Sequence, residues 1–199
     1  MTSFEQLQQL QDMGVDFAGL IFYEASKRFM GNSLKEQQQE VRNLEIKKVG
    51  VFVNAGLETI KRAVEDYGLS YVQLHGDESP EFCEQIQNFV SAIKAIQVGP
   101  GTDLDEHLEK YKNVCDYFLF DTASKHYGGS GVQFDWGKLE HVNIAKPFFL
   151  SGGIGLEDVE NVKAFSHPML YAIDVNSRFE VNPGVKDLQQ VASFLKQIN

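Results

Sequence analysis

The stretch FLFDTASKHYGGSGVQFDW, residues 118–136, ends a nearly unbroken apolar run on a lone carboxylate, Asp121. A strand buried on both faces reads as a continuous apolar run, and its end is where the backbone reaches a rim. A polar side chain there can face a ligand. The glycines that follow, Gly128, Gly129 and Gly131, can take φ > 0 and approach a ligand closely. Farther along, SGGIG (151–155) reads as a strand end, two glycines and the start of a helix. Bare N–H groups at a helix N-terminus attract phosphate, although the same residues also suit a tight βα turn. The next such connection, DVNSRFE (174–180), adds Asp174, Asn176 and Ser177.

Composition bounds what these residues can serve. At 199 residues the chain suits one domain, residues 1–199, with a substantial core. A hydrophobic fraction of 43% excludes disorder. The formal charge of −10 argues against a nucleic-acid or anionic-membrane surface, but not against a small anionic ligand held by local N–H donors. No apolar run is long enough to span a bilayer, and no signal peptide is read. The two cysteines, Cys83 and Cys115, give neither a disulfide framework nor metal spacing. A reducing cytoplasm is the expected compartment.

The elements that must position the polar residues alternate along the chain. Strands are predicted at 16–22, 47–53, 70–75, 91–98, 116–121, 146–151 and 169–175, several of them apolar throughout, as in a parallel sheet covered on both faces. Amphipathic helices lie between them. Capping boxes are read at Thr2/Glu5 and Ser33/Glu36, a cap with an N1 proline at Ser79-Pro80, and a cap at Asp187. Phe4, Leu7, Leu10 and Met13 form the first apolar face, which ends at Gly14.

Strands 20–30 residues apart with helices between them predict an α/β fold, a (β/α)₈ barrel. No GxGxxG opens a helix after a strand, which counts against a doubly wound sheet. The count is one short, however: seven strands, with a helix first. The expectation is therefore a barrel whose first strand is absent from this chain. Working groups of such a barrel sit at the C-terminal ends of its strands, here Phe22 to Arg28, Asn54, His75, Gln97, Asp121, Ser151 to Gly153 and Asp174 to Arg178. No lysine ends a strand, against Schiff-base chemistry. His75, Asp121 and Asp174 lack a second strand-end histidine, so no metal site is expected.

The segments VGVFVN, VQLHGDE, FLFDT with YGGSGVQFDW, FFLSGGI and AIDVNSRFEVNPGVKD resemble, in order and spacing, the phosphoribosylanthranilate isomerase family. That resemblance implies a (β/α)₈ barrel of tryptophan biosynthesis, monomeric or homodimeric, needing no cofactor. It implies an Amadori rearrangement of N-(5-phosphoribosyl)anthranilate to 1-(2-carboxyphenylamino)-1-deoxyribulose 5-phosphate. Asp121 matches the general acid that protonates the furanose oxygen. Arg28 matches the arginine holding the anthranilate carboxylate, a role suited to a planar fork. Gly152, Gly153, Asn176 and Ser177 match the phosphate site. Gln73, His75 and Asp174 shape the pocket, and Gly128, Gly129 and Gly131 belong to a loop covering it. Another phosphosugar-barrel enzyme, or a non-catalytic phosphosugar-binding relative, is the alternative.

Two departures stand out. Family members often read Ser-Ser-Gly where this chain has Asn176-Ser177-Arg178, so Arg178 either alters the backbone or adds positive charge near the phosphate. The family's first strand ends in Cys-Gly-Met-Thr, and its cysteine is the general base. Only Met1-Thr2 match that motif here, so impaired activity is expected. Neither Cys83 nor Cys115 is placed to substitute.

Overall fold

A computed structural model of the chain describes residues 1–123 and 133–198. The segment 124–132, with Gly128, Gly129 and Gly131, lies outside the described residues. Seven strands form one parallel sheet in chain order: β1 (Phe17–Ile21), β2 (Lys47–Phe52), β3 (Tyr71–Leu74), β4 (Ser91–Val98), β5 (Tyr117–Thr122), β6 (Phe148–Leu150) and β7 (Leu170–Ile173). The predicted strands agree with these to within two residues at every end. Helix α1 (Phe4–Asp12) precedes the sheet. Helices α2 (Gln38–Asn43), α3 (Leu57–Tyr67), α4 (Pro80–Gln87), α5 (Leu104–Tyr111) and α6 (Val159–Ala164) connect its strands, and α7 (Leu188–Ile198) follows it.

Strand side chains alternate between two faces, and the core divides accordingly. In β5, Phe118 and Phe120 join Leu20, Phe52, Leu74 and Phe148 in the layer under the helices. Leu119 joins Val49, Tyr71, Ile93, Ala95 and Phe149 in a separate inner cluster, against which Tyr117 packs. Asp121 continues the inner row. Between β6 and β7 the register slips: Phe148 pairs with Leu170 but Phe149 with Ala172, leaving Tyr171 as the extra residue of a bulge. The slip brings Leu150 opposite Ile173, and so Ser151 beside Asp174.

The helix ends correct two expected caps. Ser3, not Thr2, caps α1: its Oγ accepts from Gln6 N at 3.4 Å and donates to Glu5 at 2.6 Å. Thr2 is instead committed to Gly184 O, to which its hydroxyl donates at 3.1 Å. Met13 is the C-cap and is exposed rather than on the buried face. Ser33 caps nothing; a 3₁₀ turn at Lys35–Gln37 leads into α2 without a side-chain cap. Ser79 with Pro80 caps α4, and Asp187 accepts from Gln189 N and Gln190 N at 3.1 Å each. An antiparallel hairpin not anticipated from the sequence, β8 (Glu180–Asn182) and β9 (Val185–Lys186), turns through Gly184 at φ +84°.

Among the described residues, β1 and β7 are each paired on one side only. Two contacts occupy the space between them. The Met1 backbone nitrogen donates to Gly19 O of β1 at 2.7 Å. Phe17, Tyr71, Tyr117, Phe149 and Tyr171 form an aromatic cluster with centroids 5.0–5.9 Å apart, in which Phe17 of β1 meets Tyr171 of β7 at 5.9 Å.

Two lysines in the strands are buried outside the inner row: Lys48 of β2, which donates to Arg42 O and Leu44 O, and Lys94 of β4. Lys94 donates to Glu78 at 2.9 Å, Gly76 O at 2.7 Å and Leu74 O at 3.1 Å. Glu78 in turn accepts from Asn54 N and Gly76 N, fixing the end of β3. Lys94→Met leaves Glu78 as an uncompensated buried charge and should cost about 3–5 kcal/mol in a denaturant titration. Adding Glu78→Gln, which removes the charge and keeps an acceptor, should recover part of that loss. An unchanged midpoint for the single variant would mean that the pair does not brace β3.

Candidate active site

The inner row opens into a cavity of about 490 Å³, a size suited to a small ligand. Arg28, Gln73, His75, Asp121, Gly152, Gly153, Asp174, Asn176 and Ser177 all line it. The same cavity continues between β1 and β7, where Phe17, Gly19, Tyr171 and Ala172 form its walls together with Val191 and Phe194 of α7.

Asp121 projects inward at the end of β5 because Tyr117 and Leu119 precede it on the same face. One of its oxygens accepts from Thr122 N at 2.8 Å, and the other lies 3.5 Å from His75 Nε2. Gln73 on β3 and His75 just past its end share the inner face, and Gln73 Nε2 lies 2.7 Å from His75 Nδ1. With Gln73 Nε2 as the donor, Nδ1 accepts, and a neutral ring then carries its proton on Nε2. Nε2 is buried without a hydrogen-bond partner among the described residues and faces Asp121.

Ser151 and the two glycines after it form the floor beside the acid. Gly152 and Gly153 have φ +100° and +65°, which favour glycine. A Cβ on Gly152 would sit 2.5 Å from Thr122 Oγ1 and 3.3 Å from Asp121 Oδ1. The expected helix N-terminus is farther away: a 3₁₀ turn follows, Asp158 accepts from Gly155 N at 2.7 Å, and α6 starts only at Val159. Any anion at this turn therefore relies on loop N–H groups.

Ser151 donates to Asp174 at 2.8 Å. Burial pushes the Asp174 carboxyl above its ordinary value of 3.8; the charge of Asp121 adds to the rise, and the Ser151 bond opposes it.

Arg28 stands on the loop after β1, where its Nε donates to Glu180 of the hairpin at 2.7 Å. The other Glu180 oxygen accepts from Gly184 N at 3.1 Å and lies 3.7 Å from Lys186 Nζ. Lys186 also donates to Asn176 Oδ1 at 2.8 Å and Asn176 O at 2.9 Å. Burial pulls the Lys186 ammonium below its usual range. Arg178 has no positive φ, in keeping with the expectation that it avoids a glycine-only backbone, while its side chain pairs with Glu157 rather than lining the cavity. Neither Glu180 nor Lys186 was singled out from the sequence, although E-V-N-P-G-V-K carries a hairpin signal in its Pro-Gly turn.

The two cysteines lie away from the cavity lining. Burial pushes the Cys83 thiol up to about 11 and that of Cys115 up to about 12, so neither offers a thiolate at neutral pH.

The family model for N-(5'-phosphoribosyl)anthranilate (PRA) isomerase matches residues 1–197. The chain belongs to this family of enzymes. It is 43% identical over 196 residues to an N-(5'-phosphoribosyl)anthranilate isomerase of Parabacteroides distasonis, covering 98% of this chain and 88% of the relative. Superposition on the phosphoribosyl anthranilate isomerase of Thermotoga maritima gives a TM-score of 0.86 at 33% identity, over 100% of this chain and 95% of that one. A phosphoribosyl anthranilate isomerase in complex with reduced 1-(o-carboxyphenylamino)-1-deoxyribulose 5-phosphate gives 0.82 at 30% identity, over 100% and 94%.

The raised Asp174 pKa has a signed consequence. Folded protein retains a proton that unfolded chain releases, so this group's contribution to stability falls as pH rises from about 3.8 through the native value. Asp174→Asn removes that slope. A series of thermal midpoints from acid to neutral pH should show the variant gaining on the parent as pH rises. Parallel curves would mean that Asp174 ionises in the fold as it does in the unfolded chain.

Proposed function

We propose that this chain is an N-(5'-phosphoribosyl)anthranilate isomerase of tryptophan biosynthesis, a single-domain (β/α)₈-type enzyme that acts on its phosphoribosyl substrate without metal or cofactor. The observation that carries the reading is one cavity lined by a strand-end acid, an arginine and a glycine turn in left-handed conformation. A cytoplasmic monomer or homodimer fits this role.

In this reading Arg28 binds the anthranilate carboxylate through its terminal nitrogens. The phosphate lies against the Gly152–Gly153 turn, Asn176 and Ser177. Protonated Asp121 gives its proton to the furanose oxygen. The C1–O bond breaks as the anilino nitrogen, keeping its hydrogen, forms a C=N bond with C1, and a protonated Schiff base results. Loss of the C2 proton to a base then yields the enolamine, which tautomerises to the 1-amino-1-deoxyketose. Gln73, His75 and Asp174 shape the pocket around Asp121. His75, carrying its proton on Nε2, is oriented to stabilise the Asp121 carboxylate once the acid has given its proton away.

The base is the unfilled part. We propose that an eighth parallel strand, ending in a cysteine that takes the C2 proton, belongs between β7 and β1, and that the chain as written is impaired without it. The one-sided pairing of β1 and β7, and a cavity that continues between them, support this reading. Against a substitute from within, both cysteines present are remote and hold their protons.

Three versions decide it: the chain as given, the chain preceded by a strand ending in Cys-Gly, and the same strand ending in Ala-Gly. Both additions should raise the thermal midpoint, and only the cysteine version should turn over at full rate, since a positioned base is worth roughly 10²–10⁴ in rate. Equal turnover by the first two would sink the upstream-cysteine assignment. In the active version Asp121→Asn should lower kcat by a similar factor. If kcat holds, the acid lies elsewhere.

A further inference from the structure

The ion chain Arg28–Glu180–Lys186 is the most organised polar feature of the cavity with no role yet assigned to its central member. Glu180 is buried, with 4% side-chain exposure, between two cations. Its hairpin is fastened to α1 and to the residues just before it by three hydrogen bonds: Thr2 Oγ1 donates to Gly184 O at 3.1 Å, Gln6 Nε2 to Lys186 O at 2.9 Å, and Lys186 N to Gln6 Oε1 at 2.9 Å. The Glu180 carboxylate is thus fixed by backbone before any ligand arrives. It takes only the Nε of Arg28. The terminal nitrogens of that guanidinium make no hydrogen bond to protein among the described residues, and Arg28 lines the cavity.

We propose that Glu180 is a positioning residue for the substrate carboxylate: it anchors Arg28 by Nε, so that the terminal N–H groups present a preset fork to the ligand. This rests on the reading of Arg28 as the carboxylate clamp. An arginine on a loop otherwise samples many rotamers, and holding one of its five donors removes that freedom before binding. Lys186 makes the arrangement tolerable by offsetting the Glu180 charge. Two cations about one anion leave the triad itself with a net positive charge, set against the Asp121 and Asp174 carboxyls of the same cavity.

The test is calorimetric and uses the chain as it stands, with two probes: reduced 1-(o-carboxyphenylamino)-1-deoxyribulose 5-phosphate and ribose 5-phosphate. Glu180→Met, which removes both charge and acceptor, should weaken the carboxyphenyl probe about tenfold, within the range for members of one ion network. Ribose 5-phosphate should be unaffected. Glu180→Gln keeps an acceptor at the same reach and should recover most of the affinity. Glu180→Asp keeps the charge but is one methylene short, and should not. Arg28→Ala with Glu180→Met should bind no more weakly than Arg28→Ala alone.

Additive losses in that pair, or full recovery by Asp, would overturn the positioning role. So would equal weakening of both probes, which marks a general distortion. If Glu180→Met does not fold, the Gln and Asp variants carry the comparison. If Arg28→Ala itself leaves the carboxyphenyl probe bound as tightly as before, it is the clamp reading that has failed. If Arg28→Ala weakens the probe while the Glu180 variants do not, the failure belongs to Glu180 alone.

Discussion

The two-residue repeat of a parallel strand is the constraint on which the structure turns. Each strand faces helices on one side and the inside of the curved sheet on the other, so a residue's parity decides its destination. In β5 that parity sends Phe118 and Phe120 outward and Tyr117, Leu119 and Asp121 inward. The inner row changes from aromatic to aliphatic to acidic as it climbs. The inner row of β3 likewise begins aromatic at Tyr71 and turns polar at Gln73 and, just past the strand, His75, so the polar end of one strand meets that of another. Shifting any strand by one residue would place its polar terminus under a helix.

Buried polarity is managed by pairing on both sides of the sheet. Outside, Lys94 and Glu78 saturate each other and the carbonyls around them. Inside, Ser151 serves Asp174, Gln73 serves His75, and Glu180 lies between Arg28 and Lys186. The imidazole Nε2 facing Asp121 is left without a hydrogen bond among the described residues, and an unmet polar atom in a buried cavity is a cost that a bound ligand can relieve.

Legibility followed the physics of each feature. The seven strands were readable because burial on two faces writes itself as an apolar run, and the strand-end positions of Asp121, His75 and Asp174 followed from those runs. Caps were less legible, since Thr2 and Ser3 have equivalent chemistry and tertiary contact with Gly184 decided between them. Ser33 carried a capping pattern, but its chain entered α2 through a 3₁₀ turn. The hairpin escaped notice because its strands are two and three residues long and too polar to stand out. With it went Glu180 and Lys186, whose roles depend on partners 152 and 10 residues away in sequence. Arg178 was legible as a residue that avoids a glycine-only backbone, but not its partner, the surface carboxylate Glu157 that draws its charge aside. The bulge at Tyr171 has no sequence signal that we can identify.

A sheet whose spatial order repeats its chain order has one seam, where the last strand faces the first. Here Met1 contacts β1 at that seam, and α7, the final helix, lines it from the other side through Val191 and Phe194. Residues nearly two hundred positions apart in sequence therefore pack into one gap, so a substitution in α7 is felt at β1 as directly as one beside Met1.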